Sequence, residues 1–135
     1  MSVSHQSADP NRRLRRICPT LLVADAAAAA EYYRGRLGFA ILLSEGSEFA
    51  MIDRDGCRIM LKRGTPAFNR DRCAEPIDFY DLFVHCDSMP AFDALRAELE
   101  TTNPIALGAL ESWDGMRLFS VRDLDGYKIY FARSI

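Results

Sequence analysis

Asp81, Phe83 and His85 alternate along one stretch of the chain, and Lys128 and Tyr130 alternate along another. Arg58, Met60 and Lys62 repeat the pattern, as do Cys18, Thr20 and Leu22. If these stretches are strands, every second side chain shares a face. One face then gathers a carboxylate, an imidazole, a thiol, a thioether, a phenol and several cations. Three chemistries suit that set. Asp81 or His85 is a candidate general base for isomerisation or lyase chemistry. Cys18 is a candidate nucleophile, although the sequence offers it no visible base partner. Met60, Phe83 and Tyr130, with Trp113, offer aromatic and sulfur surface to a planar ligand, and Asp81, His85, Arg58 and Lys128 would orient its polar groups. The plain alternative is a solvent-facing sheet; the aromatic and sulfur content favours a cleft.

The opposite parity is uniform. Leu21 and Val23, Ile59 and Leu61, Leu82 and Val84, and Ile129 and Phe131 are all apolar, so this face packs under helices. The first helix is expected to start at the N-cap Asp25, to run through the alanines from Ala26 to Ala30, to continue its face with Tyr33 and Leu37, and to stop at Gly38. The second is expected to start at Ser88 with Pro90 in its first turn, to carry Phe92, Leu95 and Leu99 on one face, and to end before Pro104. Strands are expected at residues 17–24, 39–43, 48–52 and 58–62, and again at 79–86, 105–110, 116–121 and 127–132.

These elements repeat. Asp55-Gly56-Cys57-Arg58-Ile59-Met60-Leu61 is matched in kind 70 residues later (55 to 125) by Asp125-Gly126-Tyr127-Lys128-Ile129-Tyr130-Phe131. The same offset pairs Phe49 with Phe119 and Met51 with Val121. Each half reads strand, helix, strand, strand, strand, so the chain is a duplication and a ligand would sit between the copies. The fold expected is α+β: two tandem βαβββ modules forming a curved mixed sheet cleft with helices on the outer face. The divisions are a disordered tail at 1–16, a first module at 17–64, a connector at 65–77 holding Pro66, Asn69 and Pro76, and a second module at 78–135, together one compact domain.

Bulk properties exclude several classes. With 135 residues, 49% hydrophobic and 27% charged, the chain can bury one core. A net charge of −2 argues against nucleic acid as a partner, and Arg12, Arg13, Arg15 and Arg16 read as a solvated tail. No apolar run suits a membrane span, and residues 1–11 lack a signal-peptide core, so a cytoplasmic protein is expected. Cys18, Cys57, Cys73 and Cys86 have no paired spacing and read as free thiols.

Three segments resemble the vicinal oxygen chelate superfamily, which includes glyoxalase I, extradiol dioxygenases and bleomycin-resistance proteins. Residues 19–25 are similar to its first strand and the exit to its helix. Glu31-Tyr32-Tyr33-Arg34-Gly35-Arg36-Leu37-Gly38-Phe39 is similar to its "FYxxxLGF" signature, and residues 121–131 to its "DPDGxxxxF" ending, with Leu124 where proline is common. The resemblance spans 17–135. It implies four metal-ligand slots, usually His, Glu or Gln, which here hold Cys18, Met60, Asp81 and Tyr130. Only Asp81 suits the divalent metals of such enzymes. His85 would lie roughly 13 Å along the strand from Asp81, too far to share an ion. No metal and no cofactor are therefore expected.

Loss of the ligands is the pattern of the bleomycin-resistance branch, which sequesters a drug without chemistry. Residues 113–123 resemble that branch's "WGxRxFxVxD", with Asp114 extra, which implies Trp113 near the cleft mouth; a subunit interface is the equal alternative. The expected function is small-molecule binding, the ligand planar or aromatic, such as an antibiotic, held by Cys18, Thr20, Arg58, Met60, Asp81, Phe83, His85, Trp113, Lys128 and Tyr130. The alternative is a metal-dependent lyase, isomerase or dioxygenase with an atypical site; a structural module with a vestigial cleft is a third reading. The resemblance also implies a homodimer with shared clefts.

Overall fold

The structure, a computed structural model, describes residues 9–65 and 80–135. His5, Cys73 and all but the first residue of the expected connector lie outside the described residues. The first half contains β1 (Thr20–Val23), α1 (Ala26–Leu37), β2 (Ala40–Glu45), β3 (Phe49–Arg54) and β4 (Cys57–Arg63). The second contains β5 (Leu82–His85), α2 (Met89–Thr102), β6 (Glu111–Trp113), β7 (Met116–Arg122) and β8 (Lys128–Ser134). Each half forms its own four-stranded mixed sheet, ordered β1-β4-β3-β2 and β5-β8-β7-β6. In each, the first strand runs parallel to the last and the others pair antiparallel. The chain is α+β, built as two βαβββ units. No helix among the described residues is long and apolar enough to cross a membrane.

Both helices start where side-chain oxygens satisfy the free N–H groups of a first turn. Asp25 accepts from the Ala28 N–H at 3.1 Å and Ser88 from the Ala91 N–H at 3.1 Å, caps worth about 1 kcal/mol each. Gly38 ends α1 in the left-handed region at φ 73°, which glycine adopts without Cβ strain. The buried face of α1 begins with Ala26, Ala29 and Ala30, small enough to bring the helix close to its sheet, and ends with Tyr33 and Leu37. Leu21, Val23, Ala50, Ile52, Ile59 and Leu61 meet it, and the core continues through Phe92, Leu99, Phe119, Val121, Ile129 and Phe131 of the second half. The apolar parity of β1, β4 and β8 is buried as expected; Leu82 and Val84 of β5 are only half-buried.

Two features depart from the sequence reading. The strand expected at 105–110 is broken. Leu107 makes an isolated bridge to Val121, Ile105 is exposed, and pairing with β7 resumes only at Glu111–Trp113. Gly108 marks the break: its N–H donates to the Ser120 carbonyl at 2.7 Å, and a Cβ there would lie 2.7 Å from Ser120 Oγ. The hairpin follows at Asp114-Gly115, both at positive φ, so Asp114 is a turn residue.

The repeat also slips by one position across its Asp-Gly turn. Asp55-Gly56 forms a tight turn with both φ positive, and Asp53 pairs with Arg58. In the second half Arg122 pairs with Lys128, one residue farther apart. Met60 faces Met51, whereas Tyr130 faces Ser120. The structural partner of Met51 is therefore Ser120, not Val121, and that of Phe119 is Ala50, not Phe49. A one-residue slip exchanges faces: Phe119 is in the core and Phe49 is not.

The wider second turn is built around Asp123. Its carboxylate accepts from the Asp125 and Tyr127 N–H groups at 3.0 and 2.9 Å and from the Tyr33 hydroxyl at 2.6 Å. Tyr127 reaches back to donate to the Leu22 carbonyl at 2.6 Å, and Asp125 accepts from the Ala24 N–H at 3.0 Å. Burial outweighs the three bonds and raises the Asp123 carboxyl to about 6. Burial, then the neighbouring Asp123 charge, also raise Tyr33.

A carboxyl raised on folding binds its proton more tightly in the native state. Its contribution is therefore fully present below the unfolded value near 3.8 and is lost as pH rises through about 6. Wild-type stability relative to Asp123→Asn is expected to improve by about 1 kcal/mol between pH 7 and pH 5. Urea unfolding of both proteins at the two pH values measures it; an unchanged difference would mean that Asp123 titrates as an ordinary carboxylate.

Candidate functional site

On the second sheet, the face turned away from the helices carries a small apolar cluster of Leu118, Tyr130 and Ala132, with Phe83 and Met116 packed on it. Parallel pairing sets Phe83 beside Tyr130, with ring centroids 6.1 Å apart. Tyr80 closes the group, 5.4 Å from Phe83 and 5.9 Å from Tyr130, and the His85 ring lies tilted against Phe83 at 5.1 Å. Lys128 Nζ lies 4.9 Å from the Tyr130 centroid, a cation–π contact. Four of the ten sequence candidates, Phe83, His85, Lys128 and Tyr130, thus form one constellation. Tyr80, which precedes β5, was missed, because only the strand itself displays the alternation.

Arg122 was also missed. It faces Lys128 across the β7–β8 ladder and acts electrostatically on Tyr130. Its Nη1 is buried without a hydrogen-bond partner among the described residues. A buried guanidinium nitrogen without an acceptor costs free energy, so the site fits an acceptor brought from outside. The correct register of β7 would have placed Arg122 on this face. Tyr130 remains a neutral phenol: burial, then the Glu111 carboxylate it donates to, push it up to about 12.

The remaining candidates are distributed elsewhere. Thr20 pairs with Met60 on the corresponding face of the first sheet, where Thr20 is exposed and Met60 half-buried. Cys18 is half-buried just before β1. Arg58 donates to Asp53 at 3.1 Å and is spoken for. Asp81 is locked to the start of β8: its Oδ2 accepts from the Lys128 N–H at 2.9 Å and its own N–H donates to the Lys128 carbonyl at 2.8 Å. Trp113 sits in the edge strand β6, 45% exposed, and pairs with Met116.

The implied metal slots therefore do not fit a divalent ion. Met60 is a soft thioether, Tyr130 holds its proton, and one Asp81 oxygen is engaged with backbone. Among the described residues no three His, Cys, Asp or Glu side chains converge.

Two cavities of about 680 and 640 Å³ open elsewhere, at the junction of the two halves. Both are lined by Phe39, Asp55, Cys57, Val84, His85 and Phe131. Neither is lined by Thr20, Met60 or Tyr130. His85 belongs to both the aromatic face and the two cavities, and Phe83 lines the larger cavity as well.

Untagged protein purified without chelators is expected to carry no stoichiometric zinc, nickel, manganese or iron by elemental analysis. About one such ion per chain would overturn the donor argument.

No protein-family model matches the sequence, and no curated protein matches it. Solved structures do. A glyoxalase/bleomycin resistance protein/dioxygenase from Alicyclobacillus acidocaldarius superposes with a TM-score of 0.73 at 15% identity, covering 95% of each chain. A glyoxalase-related enzyme from Clostridium phytofermentans gives 0.72 at 14% identity, covering 94% of this chain and all of that one. The bleomycin-binding protein of Streptomyces verticillus, solved with copper(II)-bleomycin, gives 0.67 at 19% identity, covering 92% and 99%. Two βαβββ units joined in this order thus give the chain the fold of the glyoxalase/bleomycin-resistance/dioxygenase proteins, the vicinal oxygen chelate fold.

Proposed function

We propose that the protein binds a small planar, aromatic molecule on the outer face of its second sheet and holds it without metal-dependent turnover. The observation that carries this reading is the buried Arg122 Nη1, without a hydrogen-bond partner among the described residues, beside the ring cluster of Tyr80, Phe83 and Tyr130. The rings supply stacking area, and the guanidinium asks for an acceptor oxygen or nitrogen on the ligand. A bleomycin-binding protein among the structural neighbours supports the ligand class, and an antibiotic is the natural first candidate. Of the residues proposed from sequence, Phe83, His85, Lys128 and Tyr130 remain in direct roles. Trp113 and, across the cleft, Thr20, Met60 and Cys18 complete the wall.

The same reading makes the cleft a shared one, formed when the second sheet of one protomer faces the first sheet of its partner. Leu42 and Leu43 on β2 and Trp113 on β6 leave 43–48% of their surfaces exposed on edge strands, which favours self-association.

A panel of planar antibiotics beginning with bleomycin is expected to contain a compound that raises the melting temperature and quenches Trp113 fluorescence. Phe83→Ala and Arg122→Ala are each expected to weaken that compound at least tenfold. A panel that never shifts the melting temperature would remove the proposal. Light scattering at micromolar concentration is expected to give twice the 15.2 kDa chain mass; a monomer would refute the shared cleft.

A further inference from the structure

The two halves are joined differently at two corresponding places. At one, Tyr127 crosses from the start of β8 to the carbonyl of Leu22 in β1 and is 2% exposed. The residue 70 positions earlier (57 to 127) is Cys57, at the start of β4. The strand corresponding to β1 is β5, where His85 occupies the place of Leu22, because Thr20 pairs with Met60 and Phe83 with Tyr130. Cys57 lacks the ring and hydroxyl that would span this gap, and the 680 Å³ cavity lies where they would pack, between Cys57 and His85. Its floor is the helix-side face of both sheets: Ile59, Leu82, Ile129 and Phe131, with Phe39.

The mouth is basic. Arg12, Arg15 and Arg16 of the N-terminal segment and Arg58 line it, against the single carboxylate of Asp55. Arg16 and Arg58 are compensated by Asp53, at 3.9 and 3.1 Å. The exposed Arg15 guanidinium has no partner among the described residues. An apolar gap of this size under an uncompensated guanidinium matches an amphiphilic anion.

We propose that this junction groove, which meets the aromatic sheet face at Phe83 and His85, is a second ligand site for a small organic anion: an aromatic or aliphatic body inserted between Phe39 and Phe131, with a carboxylate, sulfonate or phosphate held by Arg15. The N-terminal arginines are then part of a binding site rather than a solvated tail.

The probe is 8-anilinonaphthalene-1-sulfonate, added to the full chain, and the readout is the rate at which iodoacetamide alkylates Cys57, followed by peptide mass spectrometry. This thiol lines the junction cavities and is not part of the aromatic ring cluster, so ligand held on the rings of the sheet face leaves the rate unchanged, and Arg15, which lines only the 680 Å³ groove, tells the two cavities apart. Saturating probe is expected to slow Cys57 alkylation at least fivefold. The midpoint is expected to rise at least tenfold in Arg15→Glu and with the neutral analogue N-phenyl-1-naphthylamine, and to stay put in Trp113→Ala. In Cys57→Tyr, which fills the groove, the fluorescence of the groove-bound probe is expected to vanish while the circular dichroism spectrum is retained. An unprotected Cys57 at saturating probe, or equal protection by the neutral analogue and in Arg15→Glu, would overturn the proposal.

Discussion

The Tyr33 hydroxyl on the Asp123 carboxylate, 2.6 Å long and fully inside the protein, is the contact on which the arrangement of the two halves depends. Tyr33 is fixed on α1 by the helix that Asp25 starts and Gly38 stops. Asp123 in turn folds the turn before β8 by accepting from two backbone N–H groups. That turn delivers Tyr127 to Leu22 and Asp125 to Ala24, so one buried carboxylate sets the position of a helix, a turn and two strands in different sheets. A buried carboxylate is expensive, and its raised protonation range records that cost. What it provides is specificity, since no apolar pair would fix this register with three directional bonds. A second clamp works from the opposite side. Arg54 of β3 holds both oxygens of Glu98 on α2 at 2.7 and 2.8 Å and the carbonyl of Leu37 at the end of α1 at 2.7 Å.

Much of this was legible from alternation and caps alone. Leu21, Val23, Ile59 and Leu61 are inside because a two-residue period with one dry face has only one way to fold under a helix. The helix ends were legible for the same reason: Asp25, Gly38 and Ser88 satisfy backbone groups that must be satisfied by something. What failed was register. The offset of 70 holds from Cys57 onward but is 69 on the strand before the turn, because the Asp123 turn contains one more residue. Two identical Asp-Gly dipeptides gave no sign of that, since the difference lies in which carboxylate the turn wraps around. The slip put Arg122 on an unassigned face and so hid its Nη1, a buried cationic nitrogen without a hydrogen-bond partner among the described residues.

The candidate ligand residues divide along the same line. Phe83, His85, Lys128 and Tyr130 come together because they lie on β5 and β8, which pair directly. Asp81 has the right residue type for chemistry, yet it lies beside the first backbone N–H of β8 and bonds to it. Side-chain parity can say which face a residue is on. It cannot say whether a nearby backbone group has already claimed its oxygens.

Duplication explains why the same protein contains a tight junction and an open one. Two copies of one unit present two equivalent places where the turn before a unit's last strand meets the first strand of the other unit. Stability requires that one of them hold, and the Asp123–Tyr127 side does so with hydrogen bonds to Tyr33, Leu22 and Ala24. The other is then released from that duty. Its turn is tight and lacks a buried carboxylate, its tyrosine position holds Cys57, and the strand it faces ends in the exposed His85. An apolar gap left open in a core is destabilising unless something fills it, so retaining it beside three N-terminal arginines is easier to understand as a site than as poor packing. Asymmetry between the copies, more than any single residue, separates the part of this chain that holds the fold from the part left free to bind.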